Sequence, residues 1–348
     1  MISRHSHRKN EHVSLAKKFF QESASAGFEQ LRFIHHGLPE ITVKEVDPTT
    51  TLFNNQLQMQ WPFYIEAMTG GSNETGKLNQ QLAQIAHQTG VAMASGSESI
   101  ALKDPSTANS FTVIRDANPT GIVFANMGAG HSLADAKQVV SLIDANALEV
   151  HINVAQEMIM PEGDREFNWI AELTDIVSHA PVPVIIKEVG FGMDQATIKQ
   201  LVQSVGAKAI NISGRGGTNF ATIENFRRKH KDLDYLADWG QTTVESLLEA
   251  QAFKTDVDLI ASGGIKTPLD IAKAIALGAN AVGIAGTILN QLIQNGPEKT
   301  IEMIKDWQTG LITIMTMLGC RTIQDLQNEK LLLSPELINY IQQRRIKY

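Results

Sequence analysis

Residues 147–157 read ALEVHINVAQE, an apolar run that ends by placing His151, Asn153, Gln156 and Glu157 within seven residues. An imidazole can act as acid or base near neutral pH. Two amides can fix a polar group through paired donors and acceptors. A carboxylate beside them can hold Mg2+, which takes one or two carboxylates and completes its shell with water and substrate phosphates. If the run is a strand, His151 and Asn153 share one side, because strand side chains alternate, and Gln156 and Glu157 lie in the loop beyond. The plainer readings are a hydrogen-bonded core histidine and a solvated loop carboxylate. Glu157, with few other acids at its rim, is the better metal candidate.

Other residues carry chemical weight in the same way. Lys187 follows VPVII, where an ammonium is costly unless paired or functional. It either pairs with a neighbour such as Glu188 or neutralises negative charge on a cofactor. Thr69, Ser97, Asn126, Ser213 and Thr218 could serve a flat heteroaromatic ring and its polyol, although each alone suits a cap or turn. ASGGI (261–265) and GIAGT (283–287) match a phosphate site built by two consecutive loops and a helix N-terminus. RKNEH (8–12) would bring Arg8 and His12 onto one helical face; otherwise it is a solvated basic tail. Trp239 reads as packing or as a wall of the site.

The elements that must position these residues recur along the chain. Eight apolar runs, at 63–68, 91–95, 122–127, 148–153, 182–189, 209–213, 259–263 and 281–286, are continuous enough for parallel strands covered on both faces. Between them lie amphipathic helix candidates such as 134–144 and 268–277, the latter opening on Pro268. VGAKAI (205–210) and LGANAV (277–282) look like successive helix-to-strand joints. Eight βα units predict a (β/α)8 TIM barrel, an α/β fold. An open doubly wound sheet lacks its usual G-x-G-x-x-G after the first strand. The expectation is one domain over 1–348, with an N-terminal extension at 1–60 and a helical C-terminal tail at 297–348. In such a barrel the site lies at the C-terminal ends of the strands, which here end in MTGG, SGSES, ANMG, HINVAQE, KEVGFG, SGRGGTN, SGG and AG.

Composition agrees. The chain has 348 residues, 43% hydrophobic and 19% charged, with a formal net charge of −7, which argues against a nucleic-acid or anionic-membrane surface. The single cysteine, Cys320, excludes an internal disulfide framework and fits a reducing cytoplasm. No stretch reaches the roughly 18 apolar residues of a membrane span.

RKNEH, PFYIEAMTGG, GSESIALKDP, FANMG, HINVAQE, VIIKEVGFGM, GRGGTNF and ASGGI, in this order, resemble the type 2 isopentenyl-diphosphate Δ-isomerases, which are FMN-dependent (β/α)8 enzymes. The likeness runs from about residue 8 to residue 325. It implies that Arg8 and Lys9, with His12, Asn153 and the loop Ser97, Glu98, Ser99, bind an isoprenoid diphosphate. Gln156 would face the alkene and Glu157 would hold Mg2+, with His151 as a further acid–base candidate. FMN contacts are implied at Ala67, Met68, Thr69, Ser97, Asn126, Lys187, Ser213 and Thr218, and its phosphate at Gly263, Gly264, Ile265, Ala285 and Gly286. Ser213 could contribute only its backbone. NADPH is the implied reductant and a homo-oligomer the implied assembly.

Two alternatives stay open. An FMN-linked hydroxy-acid oxidase shares the phosphate loops and the strand-five lysine but needs a histidine and an arginine after strand six, where SGRGGTN has only the arginine. A non-catalytic phosphate-binding barrel leaves RKNEH and HINVAQE unexplained.

Overall fold

The computed structural model describes residues 4–20 and 25–348. The parts of the predicted extension at 1–3 and 21–24 lie outside the described residues. Eight parallel strands close into a barrel: β1 Phe63–Ile65, β2 Ala92–Ala94, β3 Val123–Gly128, β4 Ala147–His151, β5 Val184–Lys187, β6 Ala209–Asn211, β7 Asp258–Ser262 and β8 Ala281–Ile284. β8 pairs with β1 through Ile284 and Ile65, which seals the ring. Each predicted run overlaps one strand; β3 and β7 equal their runs in length, shifted by one residue, and the other six strands are shorter than theirs.

Side-chain alternation sorts each strand into two faces. Outward residues such as Phe63, Ile65, Leu148, Val150 and Ile186 pack against the surrounding helices. Inward residues grade from apolar to polar toward the C-terminal end: Phe124 then Asn126, Ala147 then Glu149 and His151, Ile185 then Lys187, Ala209 then Asn211, Ile260 then Ser262. The apolar lower half is a sealed core. A hairpin of the N-terminal extension, Thr50–Leu52 with Leu57–Met59, inserts Leu52, Phe53 and Met59 among these lower residues. Each such buried side chain contributes about 1.5–3 kcal/mol, so the extension acts as the barrel's floor.

The helices begin and end as their sequences dictate. Thr267 caps the helix Pro268–Ala276, its side chain accepting from Asp270 N–H, with proline at the first helical position. Gly206 and Gly278, at φ 79° and 102°, end the helices before β6 and β8, a conformation that costs other residues more. The tail is mostly helical, as expected, with one short strand. Its Leu331–Leu333 forms a two-stranded antiparallel sheet with Leu31–Phe33 of the extension. The helix from Gly286 to Leu318 breaks at Gly296, before Pro297. The last helix, Pro335–Arg344, is held to the barrel by Arg344 and Tyr340 on Glu249, at 2.6 and 2.7 Å. Among the described residues no helix is long and apolar enough to cross a membrane.

Candidate active site

A cavity of about 460 Å3 opens at the C-terminal ends of the strands. Its floor is a hydrogen-bonded polar layer inside the barrel. Lys187 Nζ lies 3.4 Å from Glu66 Oε1, so the buried ammonium pairs with Glu66, just after β1, and not with its neighbour Glu188. The Glu188 carboxylate instead accepts N–H bonds from Val189, Gly190 and Phe191, shaping the loop after β5. Burial alone would lower the Lys187 pKa, but Glu66 and Glu149 hold it above its ordinary value. Lys187 is therefore a fixed positive charge under the cavity.

His151 Nδ1 lies 3.0 Å from Asn126 Oδ1, and Asn126 Nδ2 donates to Glu149 Oε2 at 2.9 Å. An amide whose nitrogen is donating to a carboxylate presents its oxygen to the ring, so His151 Nδ1 must carry the hydrogen. Burial first, then the charges of Lys187 and Lys9, push the imidazole down to about 3. His151 is thus neutral at physiological pH, with Nε2 free to accept a hydrogen bond. It does not fit an acid or base that must hold a proton near pH 7.

The residues after β4 sit on a helix, Val154–Ile159, and not in the expected loop. Gln156 is held on both sides: its Nε2 donates to Glu224 Oε1 at 3.0 Å and Asn153 Nδ2 donates to its Oε1 at 3.4 Å. Glu157 accepts from Asn153 Nδ2 and from Asp164 N–H, each at 2.8 Å. It is not a lone acid, because Glu162 and Asp164 also line the cavity. Those two sit on the loop whose backbone fixes Glu157.

The helix Arg4–Phe19 brings Arg8, Lys9 and His12 to the cavity, with Arg8 3.8 Å from Glu162 on the loop that follows Glu157. Lys9 Nζ donates to Ser97 O at 3.5 Å, and burial followed by the Arg8 charge lowers it to about 8. His12 Nε2 is 3.0 Å from Glu224 Oε1. Glu224 in turn accepts from Arg227 Nη1 at 2.6 Å, and Arg227 reaches Glu11 at 3.0 Å and Glu162. One arginine therefore ties the N-terminal helix, the loop after β4 and the helix Phe220–Arg227 together over the cavity mouth. Burial disfavours the Glu224 charge, but His12, Gln156 and Arg227 hold the carboxyl below its usual range.

The third wall is glycine. A Cβ at Gly264 would stand 2.5 Å from Gly216 O and 2.7 Å from Ala26 Cβ, and one at Gly217 would stand 2.7 Å from Gly264 N. No other residue fits there. The helix starting at Gly286 faces this cradle, so bare backbone and a helix N-terminus converge as a phosphate requires. The cradle, the Lys187 floor and the polar side chains of Ser97, Asn126 and Thr218 suit a flavin mononucleotide. For a metal, Glu157 offers a single carboxylate. Among the described residues no three His, Cys, Asp or Glu side chains cluster to hold one, so the donor set fits a cation that arrives with a diphosphate and keeps its water.

Of the expected site residues, Ala67, Met68, Ser99, Ile265 and Ala285 also line the cavity, as does Ser213, whose φ of 31° marks a sharp backbone turn. Two are not brought there by their side chains. Thr69 Oγ1 turns away to Asn79, and Glu98 is buried beneath the loop, bonded by Ser95 at 2.6 Å and by Asn126 N–H. Trp239 is 60% exposed and does not wall the site.

The family model for FMN-dependent dehydrogenase matches residues 106–333. A protein of Latilactobacillus sakei subsp. sakei, strain 23K, called isopentenyl-diphosphate delta-isomerase, is 53% identical over 98% of this chain and 97% of its own length. The chain belongs to the isopentenyl-diphosphate delta-isomerase family. A Limosilactobacillus reuteri subsp. reuteri (strain JCM 1112) protein of the same name is 50% identical over the whole of both chains. In solved structures the fold recurs in a Pediococcus acidilactici lactate oxidase, described as putative, at TM-score 0.68 and 15% identity over 92% of this chain and 94% of that one. It recurs again in flavocytochrome b2, at TM-score 0.69 and 18% identity over 96% and 87%; at such identities the likeness is one of fold.

Sequence reasoning missed Glu66, Glu149 and Asn211, which build the floor, and Glu224 and Arg227, which brace the mouth. The first three had a readable signal. Each is a polar residue inside an otherwise apolar run, the same argument that singled out Lys187. Glu224 and Arg227 had none, since an acid and a base three apart on a helix usually form a surface pair.

Proposed function

We propose that this protein interconverts isopentenyl diphosphate and dimethylallyl diphosphate by a 1,3 proton shift, in a single-domain barrel that uses reduced FMN and Mg2+, with NADPH as reductant. A cytoplasmic setting and a homo-oligomeric state belong to the same proposal. One observation supports it: a single cavity is lined at once by the glycine cradle, by Arg8 and Lys9, and by Gln156 and Glu157. The name shared by full-length relatives supports the same assignment.

The reaction protonates a terminal alkene carbon and removes a proton two carbons away, with positive charge passing through the tertiary carbon. When bound, reduced FMN supplies an electron-rich ring that can stabilise such charge and a nitrogen that can exchange protons. The chain's own residues hold everything else in place. Arg8 and Lys9 would bind the diphosphate, and Glu157 would hold the Mg2+ that neutralises its charge. Gln156 cannot carry a proton, but its amide, fixed by Glu224 and Asn153, orients the alkene within the pocket. The N-terminal helix, clamped through Arg227, excludes water from the charged species.

The oxidase reading loses its arginine. Arg215 pairs with Asp238 at 3.0 Å and does not line the cavity. The deciding experiment supplies the FMN-loaded protein with isopentenyl diphosphate, Mg2+ and dithionite in deuterated water. Turnover should require the reductant, consume none per product, and place deuterium in the product. Full activity with oxidised FMN, or one reductant used per substrate, overturns the isomerase reading.

A further inference from the structure

The floor contains more ionisable hydrogen-bonding groups than a flavin site needs. Tyr64 Oη lies 2.9 Å from Glu66 Oε2 and 3.0 Å from Glu149 Oε1, and Asn211 Nδ2 also approaches it, at 3.2 Å. A phenol has one hydrogen and can donate to only one of two carboxylates. The other oxygen–oxygen contact, at hydrogen-bond length, needs a hydrogen of its own, which must come from the carboxyl group. The amide donors of Asn211 and Asn126 are already given to Glu66 and Glu149. The hydrogen-bond count therefore requires one acid and one carboxylate. With Lys187 on Glu66, the cluster is then electrically balanced inside a dry barrel.

Resting on the FMN reading above, we propose that Glu66 and Glu149 form a redox-linked proton site: the pair shares one proton, sheds it from the oxidised protein at alkaline pH, and regains it when the flavin is reduced. The balance is explicit. Two electrons from a reductant such as dithionite and two protons from water enter; one proton goes to the flavin, leaving it a singly charged anion, and one to the carboxylate pair. The cause is Coulombic. With the pair empty, Glu66, Glu149 and Lys187 sum to one negative charge, and an anionic flavin above Lys187 adds a second, which protonation of the pair relieves.

Other titratable groups facing the pair do not replace it. Tyr64 is raised well above its usual range, by burial and then by the two carboxylates. His151, behind Asn126, is neutral at all relevant pH. Glu188, beyond Lys187, accepts three N–H bonds although burial raises it to about 7, and Glu98, raised by burial to about 8, reaches the layer only through the Asn126 backbone; Glu149→Gln leaves both in place and so separates their titration from that of the pair. Burial, then the Glu66 charge, raises Glu149 well above the ordinary carboxylate range, consistent with the hydrogen-bond count.

The test is a spectroelectrochemical titration of the FMN-loaded protein across pH. Each proton taken up with two electrons changes the reduction equilibrium tenfold per pH unit, about 30 mV. The native protein should show that slope near neutrality and about twice that slope above the pH where the pair empties. Glu149→Gln should keep the single slope throughout. In the native protein, reduction at alkaline pH should also produce a carboxylic-acid C=O band in infrared difference spectra, sensitive to deuterated water, which decides the matter should the variant lose FMN. A uniform native slope with no such band overturns the proposal while FMN binding stands. Failure of the native protein to bind FMN overturns both this site and the reading it rests on.

Discussion

Replacing Arg227 by methionine removes the charge that ties three elements over the cavity while keeping most of the side chain's bulk. The Arg227 side chain is 10% exposed and contacts Glu224, which is fully buried, and Glu11 and Glu162, which are 37% and 43% exposed. The two outer pairs are screened and contribute about 0.2–1 kcal/mol each. The buried charge-assisted bond is larger, about 1.5–3 kcal/mol, and stays below the full cost of an orphaned buried charge because His12 and Gln156 still serve Glu224. The sum is about 2–5 kcal/mol. Most of it should be lost from local docking, because none of the three elements is a barrel strand. Opening of the helix Arg4–Phe19 should then rise by roughly 30- to 4,000-fold, at 1.4 kcal/mol per factor of ten. Hydrogen exchange in that helix reads this directly. In kinetics, substrate KM should rise by the lost fraction of closed enzyme, with kcat at saturation and FMN content near normal. Unchanged exchange and KM, or loss of FMN with KM intact, would refute the clamp.

Three further outcomes follow from the same geometry. Glu157→Gln should shift the Mg2+ dependence of activity to higher concentration and leave FMN content unchanged, as read from activity against Mg2+ and flavin absorbance; an unmoved curve removes the metal role. Lys9, lowered to about 8 by burial and then by Arg8, should lose its charge in the free enzyme as pH rises through that value. kcat/KM should therefore fall on the alkaline side, and Lys9→Arg, which keeps its charge, should abolish that limb. Gly264→Ala places a Cβ 2.5 Å from Gly216 O at φ +72° and should weaken FMN binding at least about tenfold, given about 1–2 kcal/mol for the backbone strain alone. Gly206→Ala, at φ +79° in the left-handed region but with nothing within 4 Å, serves as the control and should leave FMN affinity intact.

The barrel was legible because closing a parallel sheet forces eight continuous apolar runs, and each marks one strand. The upper rim was legible for the same reason: a polar residue at the end of such a run has few purely structural uses. What stayed hidden depends on contacts far apart in sequence. Glu66 could not be matched to Lys187, 121 positions away, while Glu188 stood beside it. Asn153 was expected to continue the strand, but β4 stops at His151 and the chain turns at once into a helix. Thr69 and Glu98 show the limit of reading loops by composition, since both types occur at the rim yet one backbone turn sends each side chain inward. The pairing of the tail strand Leu331–Leu333 with Leu31–Phe33 spans almost the whole chain and leaves no local trace.

His151 bears on where the protons of the reaction come from. A histidine at the mouth of a barrel strand invites assignment as acid or base, and removing such a group typically costs about 10²–10⁴-fold. Here Asn126 fixes the hydrogen on Nδ1, and burial with the Lys187 and Lys9 charges lowers the pKa to about 3. A base that weak holds essentially no proton at neutral pH, so the side chain can offer only a hydrogen-bond acceptor to the pocket. Gln156 carries no titratable proton either, and Glu157 is committed by Asn153 and the Asp164 backbone to one orientation. Under the proposed reading, His151 and Gln156 therefore position the substrate and hold no transferable proton at neutral pH. His151→Gln, which keeps an acceptor without basicity, should retain activity within about tenfold, below the acid–base range. The native pH profile should lack an acid limb near the usual histidine value of about 6.5. A loss of about 10³-fold or more in the variant, together with such a limb in the native enzyme, would return the proton chemistry to His151.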